Sequence, residues 1–282
     1  MKPIFTFFLL LFFLCVSVPL GNAQEIMKMK DSVPTWLLPM KVSLYSFPTE
    51  EEWNLLQEIR FPFILELNLN SNYPDLEVDN QKTINLSELP TLRAVHFMGD
   101  MISDDLLKTV RDLPALEYVS LKHCDNITDI GISHLSKVKN LKRLRFASCR
   151  KVTSSAIGAF RLHPTLASLE IELCVPFTST LFSDIASIPQ LIHFYYDNAI
   201  SEFSEEELLK LADMKKLKSL GLSPCDQLTR PMLETIIQKL PDLECVFLQN
   251  CSKMTESDER EIQEIFPNLM IVINTGYEKF DY

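Results

Sequence analysis

The sequence predicts an α/β solenoid, a single elongated domain in which short parallel strands alternate with helices. Three observations predict this class. An apolar-x-x-apolar-x-apolar pattern begins seven times along the chain, at steps of 24 to 26 residues. A Ser or Thr follows each pattern, where its hydroxyl can accept the free amides that open a helix. No Gly/Ser-rich linker separates the units, and such regular spacing is typical of proteins whose repeats bury their apolar faces against each other.

Each repeat starts with a predicted strand, followed by a turn, a capped helix and a return. The apolar triplets of the strands are Leu92/Val95/Phe97, Leu116/Val119/Leu121, Leu141/Leu144/Phe146, Leu166/Leu169/Ile171, Leu191/Phe194/Tyr196, Leu217/Leu220/Leu222 and Leu243/Val246/Leu248. The predicted helix caps are Ser103, Thr128, Thr153, Thr178, Ser204, Thr229 and Thr255. Ser204 and Glu207 have the spacing of a capping box. Further strands are predicted at residues 42–44, 64–69 and 269–274.

A cysteine occupies the third position after the triplet in five of the seven repeats. These residues are Cys124, Cys149, Cys174, Cys225 and Cys251. One cysteine per coil at an equivalent inward position predicts a ladder of buried thiols that pack as small apolar residues. Disulfides between neighbouring coils are the alternative. We expect six free thiols after signal cleavage, because a stacked parallel register rarely gives disulfide geometry.

These residues resemble leucine-rich repeats of the cysteine-containing subtype, with the pattern L-x-x-L-x-L-x-x-C-x-x-I-T-D. Residues 116–140 match it best, through Cys124, Ile127, Thr128 and Asp129, followed by Gly131. The resemblance spans roughly residues 36–276. It implies a horseshoe with parallel strands on the concave face and α-helices on the convex face, and it implies no chemistry.

The ends of the chain differ from the repeats. Residues 1–23 predict a signal peptide, because Lys2 is the only charge, residues 4–18 are almost wholly apolar, and small residues precede a cleavage site after Ala23. An uncleaved anchor is the alternative. We assign residues 24–63 to an N-terminal cap and degenerate first repeat, 64–268 to the repeats, and 269–282 to a last strand and tail. The predicted location is secreted or periplasmic.

The composition argues against several classes of function. A net charge of −11 would repel nucleic acid and anionic membranes. Six glycines leave no phosphate-binding loop, and the five histidines have no metal-ligand spacing to one another. A line of thiols does not provide the four converging ligands of a zinc site. We therefore expect no enzyme, no cofactor and no metal.

The concave face is the predicted binding surface. Its candidate partner-binding residues are Tyr118, Lys122, Arg143, Arg145, Glu170, Glu172, His193, Tyr195, Asp197 and Phe247. A basic patch thus adjoins an acidic one, with aromatic residues as anchors, which suits a protein interface. The other interpretation is a self-neutralising sheet, in which cross-strand pairs such as Arg145–Glu170 stabilise neighbouring coils.

The leading hypothesis for function is a monomeric, non-catalytic scaffold that binds a protein or peptide partner through the concave face. A carbohydrate- or cell-wall-binding module is the alternative, with Tyr118, Tyr195 and Phe247 as stacking platforms. The resembled subtype is best known in substrate adaptors of ubiquitin ligases. That role requires an F-box segment before the repeats and a cytosolic location. A signal peptide for secretion is predicted before the repeats instead, so this role ranks low. The remaining hypothesis for function is an enzyme of a type that the sequence does not identify.

Overall fold

The computed structural model describes residues 85–174, 180–197 and 203–274, residue 54, and the backbone of three earlier strands. In these parts of the chain, eleven strands form one parallel sheet in sequence order. The strands are β1 (Ser17–Leu20), β2 (Met40–Leu44), β3 (Ile64–Asn70), β4 (Ala94–Met98), β5 (Tyr118–Lys122), β6 (Arg143–Ala147), β7 (Ser168–Glu172), β8 (His193–Asp197), β9 (Ser219–Ser223), β10 (Cys245–Gln249) and β11 (Met270–Asn274). Since every neighbour is the next strand in sequence, the predicted solenoid topology is confirmed.

Helices connect the strands on one side of the sheet. They are α1 (Asp104–Val110), α2 (Asp129–Leu135), α3 (Ser154–Gly158), α4 (Leu181–Ala186), α5 (Glu205–Leu209), α6 (Arg230–Lys239) and α7 (Glu256–Ile265). Single 3-10 turns occur at Leu86–Glu88 and at Lys210–Asp213. The first lies within residues 84–89, for which the short sequence predicts a single helical turn or an irregular return. Within the described residues, no helix combines the length and apolarity needed to cross a membrane.

The core lies between the sheet and the helices and is built from the apolar triplets. All three apolar residues of each triplet are buried, from Leu92 to Leu248, except that Leu243 is partly buried. Residues between them alternate to the opposite side of the sheet, as the period of two in a strand requires. We call that opposite side the open face; it is the face that the sequence predicts as concave.

The helix starts largely follow the predicted caps. The Ser103 hydroxyl accepts from the Leu106 amide at 3.4 Å, and Thr128 accepts from Ile130 at 3.2 Å. Thr229 precedes α6 without a side-chain cap. The predicted Thr178 cap lies outside the described residues, and α4 instead follows Thr180.

The predicted capping box at Ser204 is only half formed. The Ser204 hydroxyl accepts from the Glu207 amide at 3.2 Å. The Glu207 carboxylate turns to the preceding coil, where it accepts from the amide and hydroxyl of Ser183 at 2.8 and 2.9 Å. A complete box forms at Thr255 and Asp258. The capping box at Ser204 stays incomplete because the Glu207 carboxylate is already bonded to Ser183 of the preceding coil.

Carboxylates also join the starts of successive helices near the best-matching repeat. Asp104 of α1 accepts from the Thr128 amide at 2.8 Å and from its hydroxyl at 2.6 Å. Asp129 of α2 accepts in the same way from Thr153. A β-carbon on Gly131 would lie 2.2 Å from Asp104 Oδ1, so this glycine gives the carboxylate room.

A left-handed residue follows five of the described strands, β4 to β7 and β10, and only one of the five is a glycine. His123, Ser148, Leu173 and Asn250 have φ between 47° and 55°, and Gly99 occupies the same place with φ 100°. The amide of His123 donates to Ala147 O at 2.9 Å, and the amide of Leu173 donates to Asp197 O at 2.7 Å. The turn therefore extends the hydrogen-bonded ladder one residue beyond β4, β5, β6 and β7.

The prediction of six free thiols is wrong for one pair. Cys225 and Cys251 form a disulfide, because successive coils in register bring their α-carbons to 4.7 Å, within the usual range for a disulfide. Cys124, Cys149 and Cys174 are free and buried, as the ladder predicts. The neighbouring Cys149 thiol and burial raise the pKa of Cys124. Burial raises the pKa of Cys174 to about 12.

The N-terminal predictions are only partly covered by the described residues. The strands predicted at 42–44 and 64–69 are present as β2 and β3. The sequence also predicts a capped helix after Thr49 and an insertion near residues 73–82, and apart from residue 54 both lie outside the described residues. β1 lies inside the predicted signal peptide and pairs with β2. Cleavage after Ala23 would remove β1 and leave β2 as the edge of the sheet.

Candidate binding surface

The open face presents its side chains in three rows that cross the strands. The central row is Ser120, Arg145, Glu170, Tyr195, Gly221 and Phe247. One outer row is Tyr118, Arg143, Ser168, His193, Ser219 and Cys245, and the other is Lys122, Ala147, Glu172, Asp197, Ser223 and Gln249. Nine of the ten predicted partner-binding residues thus lie together on β5–β8, and Phe247 lies two strands farther along on β10.

Arg145 is held by carboxylates of the next strand. Its Nε and Nη2 donate to the two oxygens of Glu172, each at 3.0 Å, in a bidentate pair. Glu170, its direct register neighbour, is farther away at 3.6 Å. The self-neutralising interpretation therefore describes Arg145 correctly, although its main partner is the diagonal Glu172 and not the predicted Glu170.

Glu170 is incompletely neutralised. Burial raises the pKa of its carboxyl group, and nearby Arg145 opposes that rise only in part. The carboxylates of Glu170 and Glu172 on β7 share the single guanidinium of Arg145 on β6, and Asp197 on β8 is the register neighbour of Glu172.

Two cations on β5 and β6 are unpaired. Lys122 and Arg143 are exposed, and within the part of the chain that the structure describes neither side chain forms an ion pair or hydrogen bond. Arg143 lies beside Tyr118 and Ser168 in its row, and it contributes, after burial, to lowering the pKa of His193. These side chains are available to a partner without breaking an existing bond.

The aromatic residues are held in place by their neighbours. Tyr118 is half-buried and meets His96 edge to face, with ring centroids 4.9 Å apart. The Cδ2 side of the Tyr195 ring covers Gly221 on the next strand. Burial, followed by the charges of Asp197 and Glu172, raises the pKa of Tyr195, which keeps its hydroxyl protonated.

Gly221 is the residue that the sequence analysis missed. A signal was present, because Gly221 fills a central-row position that holds a larger side chain in every other coil from β4 to β10. The surface has the means to bind by ion pairing and aromatic contact. Among the described residues, no group of His, Cys, Asp or Glu could hold a metal ion.

Comparisons with known proteins were made by sequence and by structure. No family model matches the sequence. A stretch of 173 residues is 26% identical to Antagonist of mitotic exit network protein 1 of Candida glabrata, covering 60% of this chain and 30% of that protein. The chain therefore spans less than a third of the length of the curated relative it matches.

Solved structures resemble the chain over more of its length. The leucine-rich repeat-containing protein LegL7 of Legionella pneumophila matches with a TM-score of 0.57 at 16% identity, over 94% of this chain and 92% of that one. The fold is that of a leucine-rich repeat solenoid. A chain of the yeast Rad7–Elc1 complex matches with a TM-score of 0.59 at 13% identity, over 88% of this chain and 63% of that one. Identity this low shows the fold alone.

Proposed function

We propose that this protein is a non-catalytic leucine-rich repeat scaffold that binds a protein or peptide partner through its open face. The observation that carries the proposal is the exposed, unpaired guanidinium of Arg143 beside the anchored ring of Tyr118, with the exposed ammonium of Lys122 at the other end of β5. Rigid aromatic residues with adjacent charges are what protein interfaces use for affinity and orientation. The strands hold these groups in fixed register, so a partner meets a preformed surface.

Carbohydrate binding is less well supported by the aromatic residues. A stacking platform needs a ring that lies free on the surface. Tyr195 is half-buried against Gly221, and Tyr118 is half-buried beside His96. Phe247 is also only partly exposed. Proteins, which can use the charges as well as the rings, fit the surface better.

Site-specific photo-cross-linking tests the proposal. A photoreactive residue is placed at His193 or Ser219 on the open face, with Gln238, exposed on α6, as the matched control. We expect the same protein adducts from both open-face positions, reduced by excess unlabelled protein and absent from the control. Equal adducts from all three positions, or none from the open face, would refute binding through this surface.

We also propose that the protein acts outside the cytoplasm, as a secreted or periplasmic protein. The support is the apolar segment of residues 4–18, which follows a single positive charge and precedes small residues. N-terminal sequencing of the protein from its natural host should begin at Gln24. An intact Met1 in the cytoplasmic fraction would contradict this location.

A further inference from the structure

One outer row of the open face has a low point at Ser168. Ser168 on β7 lies in register between Arg143 on β6 and His193 on β8. Arg143 and His193 are exposed, whereas only 7% of Ser168 is exposed. Strands lie about 4.8 Å apart, so a group seated over Ser168 would lie about 5 Å from the strand on either side. We call these three residues the Ser168 notch, because a small floor lies between two larger side chains.

The hydroxyl at the floor of the Ser168 notch is unsatisfied. It makes no hydrogen bond to any residue that the structure describes, although the Ser168 amide donates to Lys142 O at 2.9 Å. Its oxygen is not fully enclosed, because the only enclosed side-chain atom without a partner in the same part of the chain is His134 Nδ1. A largely buried hydroxyl without a partner costs free energy. A polar group that enters the notch would remove that cost.

The Ser168 notch carries one free positive charge. The charge of Arg143 reaches across Ser168 to the ring of His193. Burial, followed by this charge, lowers the pKa of His193, so the ring is neutral near pH 7 and offers an N–H donor. The other charges that act on the ring are Lys218 and Glu244, which pair with each other at 2.5 Å. Arg143 therefore supplies the charge that a ligand would meet.

We infer that the Ser168 notch binds a carboxylate of the partner protein, from an Asp or Glu side chain or from the C-terminus. The fork of the Arg143 guanidinium matches the two oxygens of a carboxylate. The Ser168 hydroxyl donates from the floor, and an N–H of His193 donates from the opposite side. The inference rests on the proposed function and adds the chemical group by which the partner is recognised.

A phosphate group suits the Ser168 notch less well than a carboxylate. A phosphomonoester carries about −1.5 to −2 charges, and Arg143 supplies only one positive charge. Glu170 lies two residues beyond Ser168 on the same face of β7, 3.6 Å from Arg145. Its carboxylate would repel a doubly charged group, or the successive phosphates of a nucleic acid, more strongly than a single carboxylate.

Peptide pools that differ in one group test the inference. The probes are octapeptides on a random Ser/Thr/Val background with an uncharged fluorophore at the N-terminus. Three amidated pools carry a central Glu, Gln or phosphoserine, and a fourth carries Gln and a free C-terminus. Fluorescence anisotropy measures their affinity for the full chain. We expect the Glu pool, the free C-terminus pool or both to bind about tenfold more tightly than the amidated Gln pool. The preferred pool identifies the source of the carboxylate.

Substitutions then locate the binding to the Ser168 notch. Arg143→Gln should abolish the preference for a carboxylate, and Arg143→Lys, which keeps the charge without the fork, should retain part of it. Ser168→Ala should reduce the preference about threefold, because it removes only the hydroxyl. Lys122→Gln is the matched control, since it removes the same charge from an exposed residue of the same face. It should keep the wild-type preference. Thermal melts confirm that each variant is folded.

Four results would overturn the inference. They are equal binding of all four pools, tightest binding of the phosphoserine pool, an equal loss in Lys122→Gln and Arg143→Gln, and an unchanged preference in folded Ser168→Ala. These results are distinguishable from failure of the proposed function. A photoreactive residue at Ser219 leaves the Ser168 notch intact. Protein adducts from Ser219 without any preference for a carboxylate would keep the scaffold and reject only the notch.

Discussion

The Cδ2 side of the Tyr195 ring lies over Gly221 on the adjacent strand, where a β-carbon would come within 2.3 Å of Cδ2. The same β-carbon would lie 3.0 Å from Cε2, so most of one ring edge occupies the space of the missing side chain. A glycine inside a strand ordinarily weakens it. Here it positions an aromatic ring of the candidate binding surface beside the carboxylates of β7 and β8.

Gly221→Ala should therefore destabilise the protein, although alanine is usually favoured over glycine in a strand. The new methyl group forces the Tyr195 ring to move, and such overpacking costs about 1–3 kcal/mol. Chemical denaturation measures the change. Gly158→Ala in α3 is the matched control, since nothing lies within 4 Å of its added β-carbon. It should stabilise by about 0.5–1 kcal/mol. A stabilised Gly221→Ala variant would show that the ring moves freely.

The bidentate contact between Arg145 and Glu172 should give a measurable coupling. The two side chains are 36% and 23% exposed, so solvent screens the pair, and we expect about 0.5–1 kcal/mol from a double-mutant cycle with Arg145→Met and Glu172→Gln. The single 2.9 Å contact between Lys142 and Glu117 is more exposed and serves as the control cycle. Its coupling should be smaller. Equal couplings would show that the bidentate geometry adds nothing.

His163 should make the stability depend on pH. It is buried, Nδ1 accepts from the Leu166 amide at 3.2 Å, and Nε2 faces Val138 O at 3.1 Å, which fits the neutral ring. Burial lowers the pKa of His163 in the folded state. Below the ordinary value of about 6.5, the unfolded chain therefore binds more protons, and stability falls as pH falls.

The measurement for His163 is the slope of the unfolding free energy against pH below 6.5. In His163→Gln this slope should decrease by up to about 1.4 kcal/mol per pH unit, the value for one proton. Burial also lowers the pKa values of His134 and His193, which keep their own share of the slope in the variant. A variant with the wild-type slope would contradict the assignment to His163.

The regular part of the fold could be predicted because one periodic pattern specifies it. Each triplet, such as Leu116/Val119/Leu121, is buried and lies on the expected strand. The same register placed the predicted binding residues on one face, because alternation in a strand leaves no other arrangement. Their pairing was less predictable, since Arg145 reaches Glu172 diagonally and the choice depends on side-chain rotamers.

Features that depend on contact between coils were missed. The left-handed backbone at His123 and Ser148 has no glycine to indicate it, and the bond from the next strand stabilises it. The carboxylate of Glu207 binds Ser183 on another coil and so leaves its local capping box. In each case a distant partner competes with a local preference, and sequence spacing alone does not show which one is favoured.

The disulfide between Cys225 and Cys251 changes the expected thiol count. Of the six cysteines that follow residue 23, four are free, so alkylation of the denatured, unreduced protein should label four, and reduction should add two.

The disulfide closes a loop with a sequence separation of 26, and Cys225→Ser/Cys251→Ser should lose about 3 kcal/mol of stability. Cys149→Ser is the control, because it replaces a buried ladder thiol without opening a loop. The difference in unfolding free energy between this variant and the wild type should be the same with and without reductant. The loss from the double substitution should disappear in reductant, because the wild-type loop is then open as well. Six labelled thiols without reduction would restore the original ladder of free cysteines.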